Sequence, residues 1–263
     1  PFPDDWLIFT PKNKMGDWLE MYTKVMDLNY WTESRCTKAT FDETKQEWEV
    51  EVLRKGEKLT LRPTQLVFTT GAYGPPKGIP IKGKKKFKGQ IFHSSEYQDG
   101  RDFTGKRCVV VGSATSAHDI CQDLWECGAK SVTMVQRSSS IIIKSETLLE
   151  YGFGELYSEQ ALKNGITTDK ADLLFASLPY KLGPDAHREV YRQMYEHDKE
   201  FYDQLQESGF RFDFGEDGSG LLMRALRTAS GYYIDVGASE LIIQKKIKLK
   251  TGVTPERCDE EFL

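Results

Sequence analysis

The sequence predicts an α/β fold in which a parallel sheet with helices follows one helix and an antiparallel meander. Between residues 34 and 70, apolar and polar side chains alternate, which is the period of strands with one buried face. Between residues 107 and 137, two near-continuous apolar strands flank a segment of helical spacing, as in a βαβ unit. The 263 residues, 39% hydrophobic and 29% charged, suffice for one large domain or two small ones.

The first part of the chain combines a helix with the meander. Residues 13–28 carry apolar side chains at helical spacing, and this helix should begin near Asn13 or Gly16. Its apolar face consists of Trp18, Leu19, Tyr22, Val25 and Met26. The three strands of the meander are separated by the polar turns DETKQ and RKGEK. Their alternating apolar positions are Phe41, Trp48, Val50, Val52, Leu59 and Leu61.

The meander leads into an apolar segment and then into the βαβ unit. Residues 66–71, LVFTTG, predict a strand that ends at a glycine. Three prolines make residues 72–80 a stiff connector without regular structure. Residues 107–112 then predict a strand buried on both faces, and residues 131–137 predict a second one after the intervening helix.

The remainder of the chain is richer in helical pattern and carries no motif that indicates chemistry. Residues 186–210 form its clearest predicted helix, and residues 216–220, EDGSG, predict a turn. Residues 232–237 and 241–253 predict closing strands.

The turn that follows the first buried strand has the pattern of a dinucleotide-binding loop. Such a loop needs a tight bend at its first position, little side chain at its second, and a small third residue for packing of the helix on the strand. Gly112 satisfies the first need and Ala117 the third, whereas Ala114 places a methyl group where the backbone approaches a pyrophosphate. The helix N-terminus offers free N–H groups to phosphate. The predicted nucleotide contacts are Gly112, Ser113, Ala114, Thr115, Ser116 and Ala117.

The end of the second strand of the unit favours NADP over NAD. NAD-binding units carry an acidic residue there, which holds the ribose hydroxyls. Here the strand ends in Arg137 and Ser138, with no carboxylate. A guanidinium can pair in bidentate fashion with a 2′-phosphate. The alternative is an ordinary solvated arginine at the end of a strand.

Charge and cysteine usage exclude several classes of function. The net charge of −4 gives no general attraction to nucleic acid, and the basic run 82–89 lacks interleaved aromatic residues. No apolar run is long enough to span a membrane, and the N-terminal residues do not resemble a signal peptide. Five scattered cysteines indicate free thiols in a reducing cytoplasm rather than a zinc site, so no metal is expected.

A third motif lies between the connector and the nucleotide-binding turn. The segment 87–97, FKGQIFHSSEY, matches an FxGxxxHxxx(Y/F) pattern through Phe87, Gly89, His93 and Tyr97. This pattern resembles the fingerprint of class B flavin-containing monooxygenases, and it stands just before a GxGxxA-type turn, as in that family. The segment 66–80 also resembles the family's linker. The resemblance covers nearly the whole chain, and the segments GEDGSGLLMRALR and GYYIDVG resemble a fungal and bacterial, YUCCA-like branch.

The resemblance implies a Rossmann-like NADPH-binding domain that works with an FAD-binding domain. It implies that NADPH reduces FAD and that a C4a-hydroperoxyflavin formed with dioxygen oxygenates a small nitrogen- or sulfur-containing or 2-oxo-acid substrate. The four fingerprint residues belong to the hinge between the domains, and tyrosine at the last position argues against Baeyer–Villiger chemistry. For His93, a structural role and a coupling role both remain open. No catalytic residue is identifiable from the sequence.

The chain departs from the family in having no FAD-binding glycine-rich turn before the meander. We therefore expect a partial FAD-binding segment at 1–80, in which Thr70 and Gly71 could contact flavin, followed by a fingerprint linker at 81–105. An NADP-binding domain with a helical insertion is expected at 106–253, and a tail at 254–263. Without the rest of the flavin domain, the apolar residues of the first segment should be exposed and favour self-association. These residues are Trp18, Tyr22 and Trp31.

Two other classes of protein share features with this sequence. A non-catalytic NADP-binding module, or a degenerate relative of the family, fits the alanine at position 114 and the missing flavin turn equally well. A pyridine-nucleotide disulfide reductase shares the architecture of two dinucleotide-binding domains, but it needs a redox CxxC motif, which this sequence does not contain.

Overall fold

The computed structural model describes residues 2–3, 5–7, 10–71 and 73–260. Ala72 of the expected connector and the last three positions of the expected tail lie outside these residues. The chain forms two compact units, residues 1–74 and residues 75–263.

The first unit contains the predicted helix and meander, which the structure confirms. Helix α1 is Lys12–Val25. Strands β1 (Ser34–Asp42), β2 (Glu47–Arg54) and β3 (Glu57–Leu61) form an antiparallel sheet in that order. The sheet buries Val50 and Val52 of β2, which are among the predicted alternating positions.

The apolar face of α1 is largely uncovered within the part of the chain that the structure describes. No residue of α1 is buried. Trp18 is half-buried because its ring stacks on Tyr22 at 5.3 Å and meets Phe2 at 4.7 Å. The larger apolar side chains that remain exposed in and just after this helix include Leu19, Met21, Tyr22, Val25, Met26 and Trp31.

The predicted strand at residues 66–71 is wrong. This segment has no regular structure, and Val67 and Phe68 are 78% and 68% exposed. A strand needs a neighbour that pairs with its backbone groups. The strands described in the first unit are β1, β2 and β3, and none of them pairs with this segment. An apolar sequence therefore did not suffice for a strand here.

The second unit contains the predicted βαβ arrangement and its parallel sheet, which the structure confirms. Its strands are β4 (Arg107–Val111), β5 (Ser131–Gln136), β6 (Ile141–Lys144), β7 (Tyr232–Asp235) and β8 (Ile247–Thr251). Strands β4, β5 and β8 form one parallel sheet in that order, and β6 pairs with β7 in parallel.

The helices of the second unit cover the sheet and form the insertion. They are α2 (Thr115–Glu126), α3 (Ser145–Thr147), a π-helical turn (Leu148–Phe153), α4 (Glu159–Lys163), α5 (Thr168–Ser177), α6 (Gly183–His197), α7 (Lys199–Glu207), α8 (Gly220–Thr228) and α9 (Ala238–Ile243). The side chains of β6 alternate between two cores. Ile142 packs with Cys121 of α2 and Met134 of β5, whereas Ile141 and Ile143 pack with Tyr191 and Met194 of α6.

Three sequence predictions in the second unit need correction. Burial on both faces holds for β5 but not for β4, an edge strand whose Val109 is 47% exposed. The single helix predicted at 186–210 is interrupted at Asp198, whose buried carboxylate accepts a hydrogen bond from Thr147 at 2.5 Å and pairs with Lys144 at 3.1 Å. The apolar start of the last predicted strand is helix α9, which packs on α2.

Candidate nucleotide-binding site

Gly112 forms the bend that joins β4 to α2. Its φ of +135° is a conformation that residues with a side chain rarely adopt. Its N–H donates to the Val135 carbonyl at 2.9 Å, which places the turn beside the carboxyl end of β5. A Cβ at Gly112 would lie 3.7 Å from the Cβ of Ala117, so the small residues at the two ends of the turn let the helix approach the strand closely.

Ala114 stands at the N-cap of α2 in ordinary extended backbone, with φ −100° and ψ −175°. An alanine therefore causes no backbone strain at this position. Its side chain cannot accept a hydrogen bond from the helix, and α2 begins without a side-chain cap. The first N–H groups of a helix have no partner within the helix. The N–H groups of Thr115 and Ser116 can therefore donate to a ligand beyond the N-terminus of α2, where the helix dipole favours an anion.

The serines and threonine around the turn hold it in place. Ser113 and Ser140 are both buried, and their hydroxyls lie 2.9 Å apart. The Ser140 hydroxyl also lies 2.7 Å from the Ser113 carbonyl, and the Thr115 hydroxyl donates to the Tyr232 carbonyl at 3.0 Å. The sequence interpretation missed Ser140. The only signal for it in the sequence is the run of three serines after β5, the last of which lies beside the turn.

Arg137 and Ser138 follow β5 and are exposed. Just before them, the Gln136 side chain is buried, and it donates to the Arg211 carbonyl at 2.8 Å and accepts from the Arg211 N–H at 2.9 Å. Gln136 thus occupies the last position of the strand with an uncharged group. Among the described residues no carboxylate lies within 4.0 Å of the Arg137 guanidinium, so this cation remains available to a ligand.

The first three fingerprint residues shape their own segment. The Phe87 ring packs on Gly89, where a Cβ would lie 2.5 Å from Phe87 Cε1, so a larger residue would displace this ring. His93 is exposed and caps the short 3₁₀ turn Ser94–Glu96. Its Nδ1 accepts from the Ser95 N–H at 3.1 Å, and its own N–H donates to the Glu96 carboxylate at 3.3 Å. These contacts support the structural role of His93.

Tyr97, the last fingerprint residue, is bonded to helix α2. Its hydroxyl donates to the Asp123 carboxylate of α2 at 2.6 Å, and the same oxygen accepts from the Gly100 N–H at 2.8 Å. Burial, followed by the hydrogen bond to Asp123, raises the pKa of Tyr97 well above its usual range. The Tyr97 ring also stacks on Phe103 at 5.9 Å. This residue therefore fixes the fingerprint segment to α2.

Thr70 and Gly71, the expected flavin contacts, are exposed in an irregular segment of the first unit. The described strands of that unit are antiparallel and provide no strand–turn–helix cradle for a second dinucleotide. The described residues thus fit NADPH and do not by themselves fit FAD.

Among all the residues that the structure describes, no group of three or more His, Cys, Asp or Glu side chains could hold a metal ion. No described helix is long and apolar enough to cross a membrane.

His118 is buried beneath the turn in the first part of α2. Its ring stacks on Tyr233 with centroids 4.0 Å apart, and its Nδ1 lies 3.2 Å from the Ala114 carbonyl. Burial lowers the pKa of His118 to about 4, although the bond to Ala114 acts in the opposite direction. Nε2 is buried and has no hydrogen-bond partner among the described residues, which fits a neutral ring that donates from Nδ1.

The buried His118 predicts a loss of stability in mild acid. The pKa of His118 in the folded chain lies below its value in the unfolded chain. Its contribution to the free energy of unfolding is therefore complete above about pH 6.5 and is lost as the pH falls towards 4. We expect a loss of about 2 kcal/mol from this group between about pH 8 and pH 5. Urea denaturation at several pH values should show that the free energy of unfolding falls less steeply with decreasing pH in His118→Phe than in the wild-type chain. Equal slopes for the two proteins would contradict this assignment, whatever the stability of the variant at pH 8.

The comparisons with known proteins agree with this geometry. A family model for flavin-binding monooxygenase-like proteins matches residues 1–165. The probable indole-3-pyruvate monooxygenase YUCCA10 of Arabidopsis thaliana is 30% identical over 173 residues, which are 65% of this chain and 45% of that protein. The trimethylamine monooxygenase of Methylocella silvestris is 35% identical over 103 residues, which are 38% of this chain and 23% of that protein. The chain thus spans less than half the length of these relatives.

A solved structure shows the same fold. The complex of OTEMO with FAD and NADP matches 95% of this chain and 55% of its own, with a TM-score of 0.62 and 19% identity. At this identity the likeness establishes the architecture alone. The family model covers more than half of the chain and includes both the fingerprint segment and the nucleotide-binding turn. This protein belongs to the flavin-binding monooxygenase-like family.

Proposed function

We propose that this chain supplies the NADPH-binding part of a flavin-dependent monooxygenase. The observation that carries the proposal is the Gly112 turn at the uncapped N-terminus of α2, beside a strand that ends in an exposed arginine instead of a carboxylate. A carboxylate at this position would repel a 2′-phosphate, whereas Arg137 attracts it. The combination selects a dinucleotide and, among dinucleotides, the phosphorylated one.

Each part of the site has a proposed task. The N–H groups of Thr115 and Ser116 hold the pyrophosphate, and Ser113 and Ala117 keep the turn close to α2. Arg137 binds the 2′-phosphate, with the Ser138 hydroxyl as a further donor. Bound NADPH would supply a hydride for the reduction of FAD in the complete enzyme. The residues of this chain bind and orient the hydride donor.

The substrate class rests on the relatives and on one fingerprint residue. The names of the relatives point to a 2-oxo acid and to a tertiary amine. Together with Tyr97 at the last fingerprint position, these names support a small nitrogen- or sulfur-containing or 2-oxo-acid substrate with dioxygen as co-substrate.

The five free cysteines support a reducing, cytoplasmic location. The uncovered apolar face of α1 supports self-association, or packing against a further domain.

The proposed domain organisation follows the same reasoning. Residues 1–80 belong to the flavin-binding side and residues 106–253 to the NADPH-binding side, with residues 81–105 as the hinge segment. The bond between Tyr97 and Asp123 supports a hinge that is fixed at its nucleotide-binding end. The alternative function is a non-catalytic NADP-binding module. Both functions require NADPH binding, and only the first requires that bound NADPH reduces FAD.

The proposal is tested by titrating the chain with NADPH and with NADH by calorimetry. We expect Arg137→Ala to weaken NADPH binding about 10- to 100-fold, because a charge-assisted hydrogen bond contributes about 1.5–3 kcal/mol, and to change NADH binding little. Lys248→Gln is the matched control, because it removes an exposed positive charge near the amino end of β8, in the same sheet but away from the carboxyl ends of the strands. A wild-type chain that does not bind NADPH would contradict the proposal.

A further inference from the structure

The segment that follows the helical insertion returns to the nucleotide-binding edge of the sheet at Arg211. The backbone of Arg211 is held on both sides by the buried Gln136 side chain, through the two bonds of 2.8 and 2.9 Å. The Ser140 N–H donates to the same carbonyl at 3.2 Å. The backbone of Arg211 is thereby fixed beside Gln136, the last residue of β5, which immediately precedes Arg137.

The side chain of Arg211 lies along this same edge. Gly252 follows β8, and its N–H donates to the Gln136 carbonyl at 2.8 Å. A Cβ at Gly252 would lie 3.2 Å from Arg211 Nη1, so the guanidinium rests against this glycine. Strands β5 and β8 are parallel neighbours whose carboxyl ends meet at Gln136 and Thr251. The edge therefore presents two exposed arginines, Arg137 and Arg211.

Two carboxylates in the segment that follows Arg211 are already engaged by other partners. The Asp213 carboxylate pairs with Arg224 at 2.8 Å and accepts from the Gly215 N–H at 2.8 Å and from the Ser139 hydroxyl. The Asp217 carboxylate pairs with Arg227 at 2.6 Å. In the part of the chain that the structure describes, no carboxylate lies within 4.0 Å of the Arg211 guanidinium.

Two uncompensated guanidinium groups at one edge repel each other unless an anion lies between them. A phosphate monoester carries a charge between about −1.5 and −2 at pH 7 and has three acceptor oxygens, so it can accept hydrogen bonds from both groups. We propose that Arg211 is the second cationic ligand of the 2′-phosphate of NADPH and, with Arg137, determines the preference for NADPH over NADH. This inference rests on the proposed function, because it assumes that the nucleotide occupies the Gly112 turn.

The test measures binding of three probes to the full chain by calorimetry: NADPH, NADH and adenosine 2′,5′-bisphosphate. We expect Arg211→Gln to weaken binding of NADPH and of adenosine 2′,5′-bisphosphate about tenfold, and to leave NADH binding within about twofold. Arg211→Lys keeps the charge without the planar pair of donors and should show a smaller loss. Lys248→Gln should change none of the three affinities by more than about twofold.

The outcomes separate this inference from the function on which it rests. If the wild-type chain binds NADPH and Arg211→Gln weakens NADPH and NADH equally, Arg211 acts only on the structure of the site and the inference is overturned. An unchanged NADPH affinity in Arg211→Gln overturns it as well, and leaves the proposed function intact. A wild-type chain that binds neither NADPH nor adenosine 2′,5′-bisphosphate overturns both.

Discussion

Gly220→Ala is expected to destabilise the second unit by about 4 kcal/mol. Gly220 opens α8 with φ +73°, and a Cβ there would lie 2.2 Å from the ring of Tyr191. Tyr191 is buried in the core that joins α6 to Ile141 and Ile143 of β6, so its ring has little room to move. About 1 kcal/mol of the loss comes from the backbone conformation and about 3 kcal/mol from the displaced ring.

Gly209→Ala is the matched control for this substitution. Gly209 also has a positive φ, +92°, but a Cβ there would meet no atom within 4 Å. It should therefore lose only about 1 kcal/mol, the contribution of the backbone. Urea denaturation followed by circular dichroism at 222 nm reports mainly on the helices of the second unit. Equal losses for the two variants would show that Tyr191 does not occupy the position described here.

Asp123→Ala is expected to destabilise the same unit by about 3 kcal/mol. The Asp123 carboxylate accepts hydrogen bonds from the Tyr97 hydroxyl and from the Gly100 N–H, and its removal leaves both donors without this partner in a half-buried site. Tyr97→Phe removes one of these bonds and should lose about half as much. The double variant should lose less than the sum of the two, by about 1 kcal/mol, because the two side chains share one interaction.

Tyr157→Phe is the control for Asp123 and Tyr97. Tyr157 makes the same kind of bond, from its hydroxyl to the Asp172 carboxylate at 2.8 Å, but on the exposed surface of the insertion. Its loss should leave the midpoint of denaturation unchanged, because water replaces the partner. Strict additivity of Asp123→Ala and Tyr97→Phe would contradict the assignment of Tyr97 as the residue that fixes the fingerprint segment to α2.

The local parts of the candidate site can be predicted from the sequence, whereas the long-range ones cannot. Gly112 and Ala117 stand out in the sequence because their spacing is set by the geometry of a single turn. Ser140 and Arg211 could not be assigned, because each reaches the turn or the strand edge through pairing between distant segments. Gln136 was passed over for a related reason, since its role depends on a partner 75 positions away.

The errors in the fold have a similar origin. The apolar segment at 66–71 predicted a strand, but pattern alone does not provide a neighbouring strand. The residues of α9 have the composition of a strand, but they form a helix that packs against α2. A segment of good helical pattern is interrupted at Asp198, whose carboxylate makes buried contacts with Lys144 and Thr147 that the pattern does not reveal.

In the proposed complex, a dinucleotide lies on the N-terminus of α2 with its 2′-phosphate at the end of β5. An amide nuclear magnetic resonance spectrum of the labelled chain, recorded during a titration with NADPH, tests this placement. We expect the largest shifts at residues 112–117, with further shifts at Arg137, Ser138 and Arg211 that NADH does not reproduce. Shifts confined to other parts of the chain, or equal responses to NADPH and NADH at the end of β5, would contradict this placement.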